Sequence, residues 1–127
     1  MVTTRSVSTD SPRRRAILEA AARAMELNPN FRIFQATDRL EMRKSVVHYY
    51  FGSKTELIHA VFHEVPRTPA LFLSLLALSL EDSYLREELV KELEKQTEVV
   101  GRPMTAQAIG QQVMSVLGVR RETEAAE

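Results

Sequence analysis

Apolar residues recur along this chain at three- and four-residue steps, broken by short polar stretches, and that spacing predicts a succession of helices. Ile17, Ala20, Ala21 and Ala24, with Met25 beside them, mark the first, which opens at Ser11-Pro12 and runs to about Leu27. Serine is a favoured N-cap, and proline suits the first helical position because its missing N–H would have no partner there anyway. Asn28-Pro29 repeats the signature and predicts a second helix over about 29–40. Ile33, Ala36, Thr37 and Leu40 share one of its faces, and either Phe31 or Phe34 covers the junction with the first helix. After a turn at Glu41-Met42, a third helix is predicted over 43–50, packed by Val47, Tyr50 and either Val46 or Phe51. Gly52 is a natural stop. Ser53-Lys54-Thr55-Glu56 then forms a capping box: the serine hydroxyl accepts from the Glu56 N–H and the Glu56 carboxylate from the Ser53 N–H. The fourth helix continues to about Glu64 and buries Leu57, Ile58, Val61 and Phe62.

Pro66, Thr68 and Pro69 mark a boundary. Beyond it the pattern gives an apolar helix over 70–80, an acidic break at Glu81-Asp82-Ser83, and an amphipathic helix over 84–100. The stripe of the latter is Leu85, Leu89, Val90, Leu93 and Thr97. Gly101-Arg102-Pro103 ends it, and a last helix over 105–117 carries Ile109, Val113, Val116 and Leu117. No stretch reads as strand. The expected fold class is therefore all-α, with a three-helix helix-turn-helix unit over 11–65 and a short helical C-terminal unit over 66–119. Residues 1–10, rich in Ser and Thr without periodicity, are expected to be a disordered tail, and 120–127 a charged, frayed one.

Composition removes several function classes. There is no cysteine, so neither a disulfide framework nor a thiolate metal site can form. The opening ten residues lack the apolar core of a signal peptide, and the apolar run 70–80 is too short and too interrupted by serine to span a bilayer. A cytoplasmic protein with no membrane partner is expected. No Gly-rich phosphate loop, nucleophile elbow or Ser/His/Asp arrangement is visible, so neither an enzyme nor a cofactor is expected. His59 and His63 lie four apart with Glu56 a turn earlier, but no further ligand accompanies them; they are expected to be surface or interface histidines, not a metal site.

Charge gives the positive signal. The net charge is zero, yet Met1 to Val65 holds ten Lys/Arg against seven Asp/Glu, and the remainder holds the reverse. A basic front and an acidic back suit a chain that meets phosphate at one end and itself or a ligand at the other. The third helix concentrates this chemistry: Arg43, Lys44, Ser45, His48 and Tyr49 occupy its outer side above an apolar base. Duplex DNA is the expected partner of that face, since Arg and Lys read guanine edges bidentately and His, Ser and Tyr serve bases or phosphates. Lys54 sits at the N-terminus of the fourth helix, where free N–H groups already favour an anion. A lysine there makes sense if a phosphate docks. Arg13, Arg14 and Arg15 on the first turn are either a solvated basic run or flanking phosphate contacts.

Val47-His48-Tyr49-Tyr50-Phe51-Gly52-Ser53-Lys54-Thr55-Glu56-Leu57 closely resembles the junction of the third and fourth helices in the TetR family of bacterial transcriptional regulators. Residues 33–44 can be laid without gaps on that family's second helix and turn, and Arg15-Ala16-Ile17-Leu18-Glu19-Ala20-Ala21 looks like its first helix. The resemblance is specific over roughly the first 65 residues and loose beyond them. It implies recognition contacts from Arg43, Lys44, Ser45, Val46, His48 and Tyr49, and a phosphate contact from Lys54. It further implies a homodimer on a pseudo-palindromic operator, with repression as the expected output. Arg13 and Arg14 complete the expected DNA-binding set.

Three positions depart from the family pattern. Glu41 stands where glycine is usual, which costs on the order of 1 kcal/mol if φ is positive there. Arg43 replaces a Ser/Thr cap, which removes about 1 kcal/mol of capping. Asn28-Pro29 shortens the first loop. The chain is also shorter than family members, with the deficit among the C-terminal helices that enclose an inducer pocket. A reduced pocket or none is expected, with dimerisation through 70–80 and 105–117. Leu71, Leu75, Leu78, Ile109, Val113, Val116 and Leu117 are the expected dimer-interface or pocket residues; if a cavity survives, a small apolar ligand is a further partner. The alternative is a protein-interaction module that kept the fold and lost specific DNA binding.

Overall fold

The computed structural model describes residues 11–118, the side chain of Arg39 excepted. Among these residues there are seven α-helices and no strand. The chain divides into two compact units, Met1–Arg67 and Thr68–Glu127. The tails expected at 1–10 and 120–127 lie outside the described residues.

In the first unit, α1 spans Pro12–Leu27, α2 spans Ile33–Thr37 and continues into a 3-10 turn at Asp38–Leu40, α3 spans Lys44–Phe51 and α4 spans Lys54–Glu64. The Ser11 hydroxyl accepts from the backbone N–H groups of Arg13 and Arg14 at 3.2 and 3.4 Å, which is the expected cap of α1. Ser53 likewise accepts from the Glu56 N–H at 3.1 Å. The Glu56 carboxylate lies over Gly52 instead of completing the box, so a Cβ at Gly52 would fall 3.0 Å from its Oε2.

Asn28-Pro29 does not start a helix. Asn28 ends α1, its side-chain carbonyl accepts from the Asn30 N–H at 2.9 Å, and its backbone carbonyl accepts from Phe31 at 3.1 Å. The residue pair that can cap a helix can equally close a turn, because Asn bonds its own backbone two residues on and Pro presets φ. α2 therefore begins four residues later than expected and is only five residues long. It is capped by the Arg32 N–H donating to Gln35 Oε1 at 2.7 Å.

The core of this unit is built from Ile17, Ala21 and Met25 of α1, Phe31 of the loop, Ala36 of α2, Val47 of α3, and Leu57 and Val61 of α4, all essentially inaccessible. Each large apolar side chain so buried contributes roughly 1.5–3 kcal/mol. Phe31 is the aromatic that covers the α1–α2 junction, while Phe34 is 59% exposed. Val47 and Phe51 pack α3, and Tyr50 and Val46 are half-buried.

The second unit comprises α5 (Pro69–Leu78), α6 (Ser83–Val100) and α7 (Arg102–Leu117). Thr68 Oγ1 accepts from the Leu71 N–H at 3.1 Å, and the Asp82 carboxylate accepts from the Leu85 N–H at 3.1 Å. α7 starts three residues earlier than expected. Gly101, at φ 87°, turns the chain sharply between helices, and Pro103 falls in the first turn of α7, where no N–H is needed. Thr97 Oγ1 donates to Thr105 Oγ1 at 3.1 Å, and Thr105 donates onward to the Gly101 carbonyl at 3.1 Å, closing the α6–α7 corner. Leu71, Leu75, Leu85 and Leu89 form the core. No described helix is long and apolar enough to cross a membrane.

Candidate nucleic-acid interface

α3 is fixed from below and open above. Val47 and Phe51 are buried, whereas Arg43, Lys44, Ser45, His48 and Tyr49 are exposed; Val46 is half-buried between the two sets. The Tyr50 hydroxyl lies 3.4 Å from Ser11 Oγ, which ties α3 to the start of α1, and the Tyr49 ring stands edge-on to that of Tyr50 with centroids 5.0 Å apart. His48 Nδ1 donates to the Gly52 carbonyl at 3.0 Å, so the ring is held by the helix end and Nε2 is its remaining hydrogen-bonding atom.

The turn that leads into α3 carries strain. Glu41 adopts φ 54°, ψ 40°, the left-handed conformation foreseen as a cost on the order of 1 kcal/mol for a residue other than glycine. The Met42 N–H donates to the Thr37 carbonyl at 3.3 Å and closes the turn. Arg43 stands at the N-cap of α3 and makes no side-chain cap bond. Its side chain is thereby left to solvent.

Beside α3 lies a depression of about 490 Å³ lined by Arg32, Ile33, Phe34, Lys44, His48, Ser53 and Lys54. Three cations reach it from three different elements: Arg32 before α2, Lys44 at the first position of α3, and Lys54 at the first position of α4. No carboxylate lines it. Lysines at two helix N-termini add to the partial positive charge of the unpaired N–H groups there. The Lys54 ammonium sits 4.8 Å from the centroid of the Phe31 ring. Because Phe31 is wholly buried, a rigid aromatic face sets the position of that charge. The depression can take an oxyanion such as a phosphodiester.

The sequence pattern missed Arg32. The expected helix over 29–40 places it in a helix interior, and only the later start of α2 and the packing of α2 against α3 bring it alongside Lys44 and Lys54. Arg14, expected among the phosphate contacts, is committed elsewhere. Its two guanidinium nitrogens donate to the Glu64 carboxylate at 2.7 and 2.8 Å, and its guanidinium carbon lies 4.9 Å from the Phe51 ring centroid. The hydrogen bonds to Glu64 hold the guanidinium above its usual range, and the same bonds pull the Glu64 carboxyl below its own. Arg14 is thus a brace from α1 to α4. Arg13 is exposed.

Of the residues expected at an interface or pocket, Leu71 and Leu75 are fully buried within the chain and serve its core. Leu78, Ile109 and Val113 are half-buried, and Val116 and Leu117 are 42% and 71% exposed. Among the described residues no group of three or more His, Cys, Asp or Glu is placed to hold a metal ion. Comparisons with protein-family models, with curated proteins and with solved structures returned no match.

Proposed function

We propose that the chain is a homodimeric, TetR-like DNA-binding transcriptional regulator, a cytoplasmic repressor in which α3 enters the major groove of a pseudo-palindromic operator. The supporting observation is one surface: the exposed row Arg43, Lys44, Ser45, His48 and Tyr49 continues into the carboxylate-free depression of Arg32, Lys44 and Lys54. Arg43, Ser45, His48 and Tyr49 supply side chains for base edges, and Arg32, Lys44 and Lys54 neutralise backbone phosphates that set the register. Homodimerisation is supported by the apolar side chains that the second unit leaves exposed, Leu80, Val99, Val116 and Leu117 among them. Two copies then present two α3 helices to successive half-sites.

The test is a fluorescence titration against duplexes from the promoter region of its own gene, at two salt concentrations with competitor DNA. Lys54→Ala should weaken all sequences about equally and lower the salt slope by about one. Arg43→Ala should also relax base preference, by about 1–3 kcal/mol at one position. Equal loss on specific and random duplexes for both variants would remove Arg43 as a base reader. Absence of binding at low salt would sink the proposal and favour a protein-interaction module.

A further inference from the structure

A second concavity in the first unit shares one lining residue, Phe34, with the depression just described. It is a groove of about 300 Å³ between α1 and the α2–3-10 segment, its apolar lining supplied by Ala20, Ala24, Leu27, Phe34 and Leu40 and its uncharged polar lining by Asn28 and Gln35. Leu27 is 87% exposed and Phe34 59%, so two large apolar side chains stand in water on its lips. Arg23 and Asp38 line the same groove, both exposed, one cation and one anion.

Size and charge select the occupant. A volume of this order lies at the small end of small-molecule sites, and an apolar wall with a few polar groups is their usual lining. A partner helix needs a trough several turns long, and α2 supplies only five residues. With one charge of each sign, a ligand of net charge meets a like charge along with its counter-ion, whereas a zwitterion satisfies both. We propose that this groove is a small-molecule binding site for a flat apolar ring carrying a zwitterionic head. Leu27 and Phe34 close on the ring, Arg23 takes the anionic end and Asp38 the cationic end. Phe34 also lines the basic depression, so an occupant touches a ring that borders Arg32 and Lys44.

The chain has no tryptophan, so the fluorescence of an indole probe excited beyond the tyrosine absorption band reports the probe alone. The full chain is titrated with tryptophan, tryptamine and indole-3-acetate, three probes with one ring and three charge states. Amide NMR of the same samples maps the contact. Saturable binding of tryptophan, at least tenfold tighter than either singly charged probe, is expected, with shifts centred on Ala24, Leu27 and Phe34. Ala24→Leu adds bulk to the lining with a helix-favouring residue and should weaken tryptophan tenfold or more. Phe34→Ser alters an exposed side chain and should do the same with an unchanged spectrum elsewhere. No saturable binding, shifts away from these residues, undiminished binding by both variants, or equal affinity for all three probes would each overturn the proposal. No DNA enters the measurement, so it stands or falls separately from the nucleic-acid reading.

Discussion

The two units solve the problem of a core in opposite ways. Among the described residues, the first unit buries fifteen apolar side chains and exposes three large ones, Leu27, Phe34 and Tyr49. The second buries five and exposes ten. Both are helical and of similar length, so the difference is not one of class but of closure. In the first unit Phe31 and Phe51 plug the spaces between helices and Arg14 braces them. In the second, α5 is apolar nearly all round, and α6 and α7 turn Val90, Val99, Val100, Met104, Met114, Val116 and Leu117 to solvent. Scattered exposed apolar residues need no explanation; ten in one unit against three in the other are the observation that the proposed self-association draws on. A second copy of the chain is the partner proposed for those side chains, whereas the polar face of α3 belongs to the first unit.

The largest effects should separate the two units by their dependence on protein concentration. Leu57→Ala removes a fully buried side chain from the first unit and should cost about 2–5 kcal/mol. Urea unfolding should register that loss equally at low and high protein concentration. The double substitution Val116→Asp, Leu117→Asp changes exposed positions and should leave the monomer folded while weakening self-association by about 2 kcal/mol or more. Sedimentation velocity over a dilution series reads this directly. A wild-type chain that stays monomeric throughout would erase the contrast and the homodimer with it.

How far the sequence foretold this arrangement depends on the range of the interactions concerned. The caps at Ser11 and Ser53 involve a side chain and a backbone group three residues away and are legible in local order; Asp82 caps α6 in the same way, where the sequence reads only as an acidic break. The buried set of α4, Leu57, Ile58, Val61 and Phe62, follows from periodicity alone. Asn28-Pro29 closes a turn where the pattern predicts a helix start, and Gly101-Arg102-Pro103 ends α6 as expected but also opens α7, because the same residues can end one element or begin another. Arg14 finds Glu64 across fifty residues of chain, a separation at which no local pattern speaks. Arg32 and the groove beside Phe34 were invisible for the same reason: each exists only once α2 has settled against its neighbours.

A smaller effect concerns where each unit turns its chain. Among the described residues, the second unit places glycine at both of its positive-φ positions, Gly101 and Gly118, whereas the first places Glu41 at one of its two and glycine at the other, Gly52. Glu41→Gly should therefore stabilise the first unit, by about 0.5–1 kcal/mol after allowing for the extra freedom of glycine in the unfolded chain. A shift of the urea midpoint upward, with unchanged slope, is the expected result. If the midpoint falls instead, the Glu41 side chain contributes a contact that outweighs the strain.

The smallest effect distinguishes how ion pairs are used. In the second unit Lys91 bonds Glu88 at 3.1 Å within one exposed helix, and Glu88→Gln should leave the unfolding midpoint unmoved. In the first unit Arg14 and Glu64 join two helices, and the Glu64 carboxyl titrates below its ordinary value of 4.5 because Arg14 hydrogen-bonds its ionised form. A carboxyl with a lowered folded-state pKa contributes stability that is fully present above the ordinary value and is lost as pH falls through the folded one. The Glu64 side chain is 40% exposed, so solvent screening holds the contribution to about 1 kcal/mol or less. Glu64→Gln should accordingly destabilise the protein by that amount at pH 7. The gap between wild type and variant should close as the pH is lowered from about 4.5 through the depressed value. Measuring the gap, not the wild type alone, cancels the other carboxylates that protonate in the same window. A gap that is constant with pH would mean that the amide loses packing or geometry instead of charge, and that the contact of Arg14 with Phe51 carries the brace.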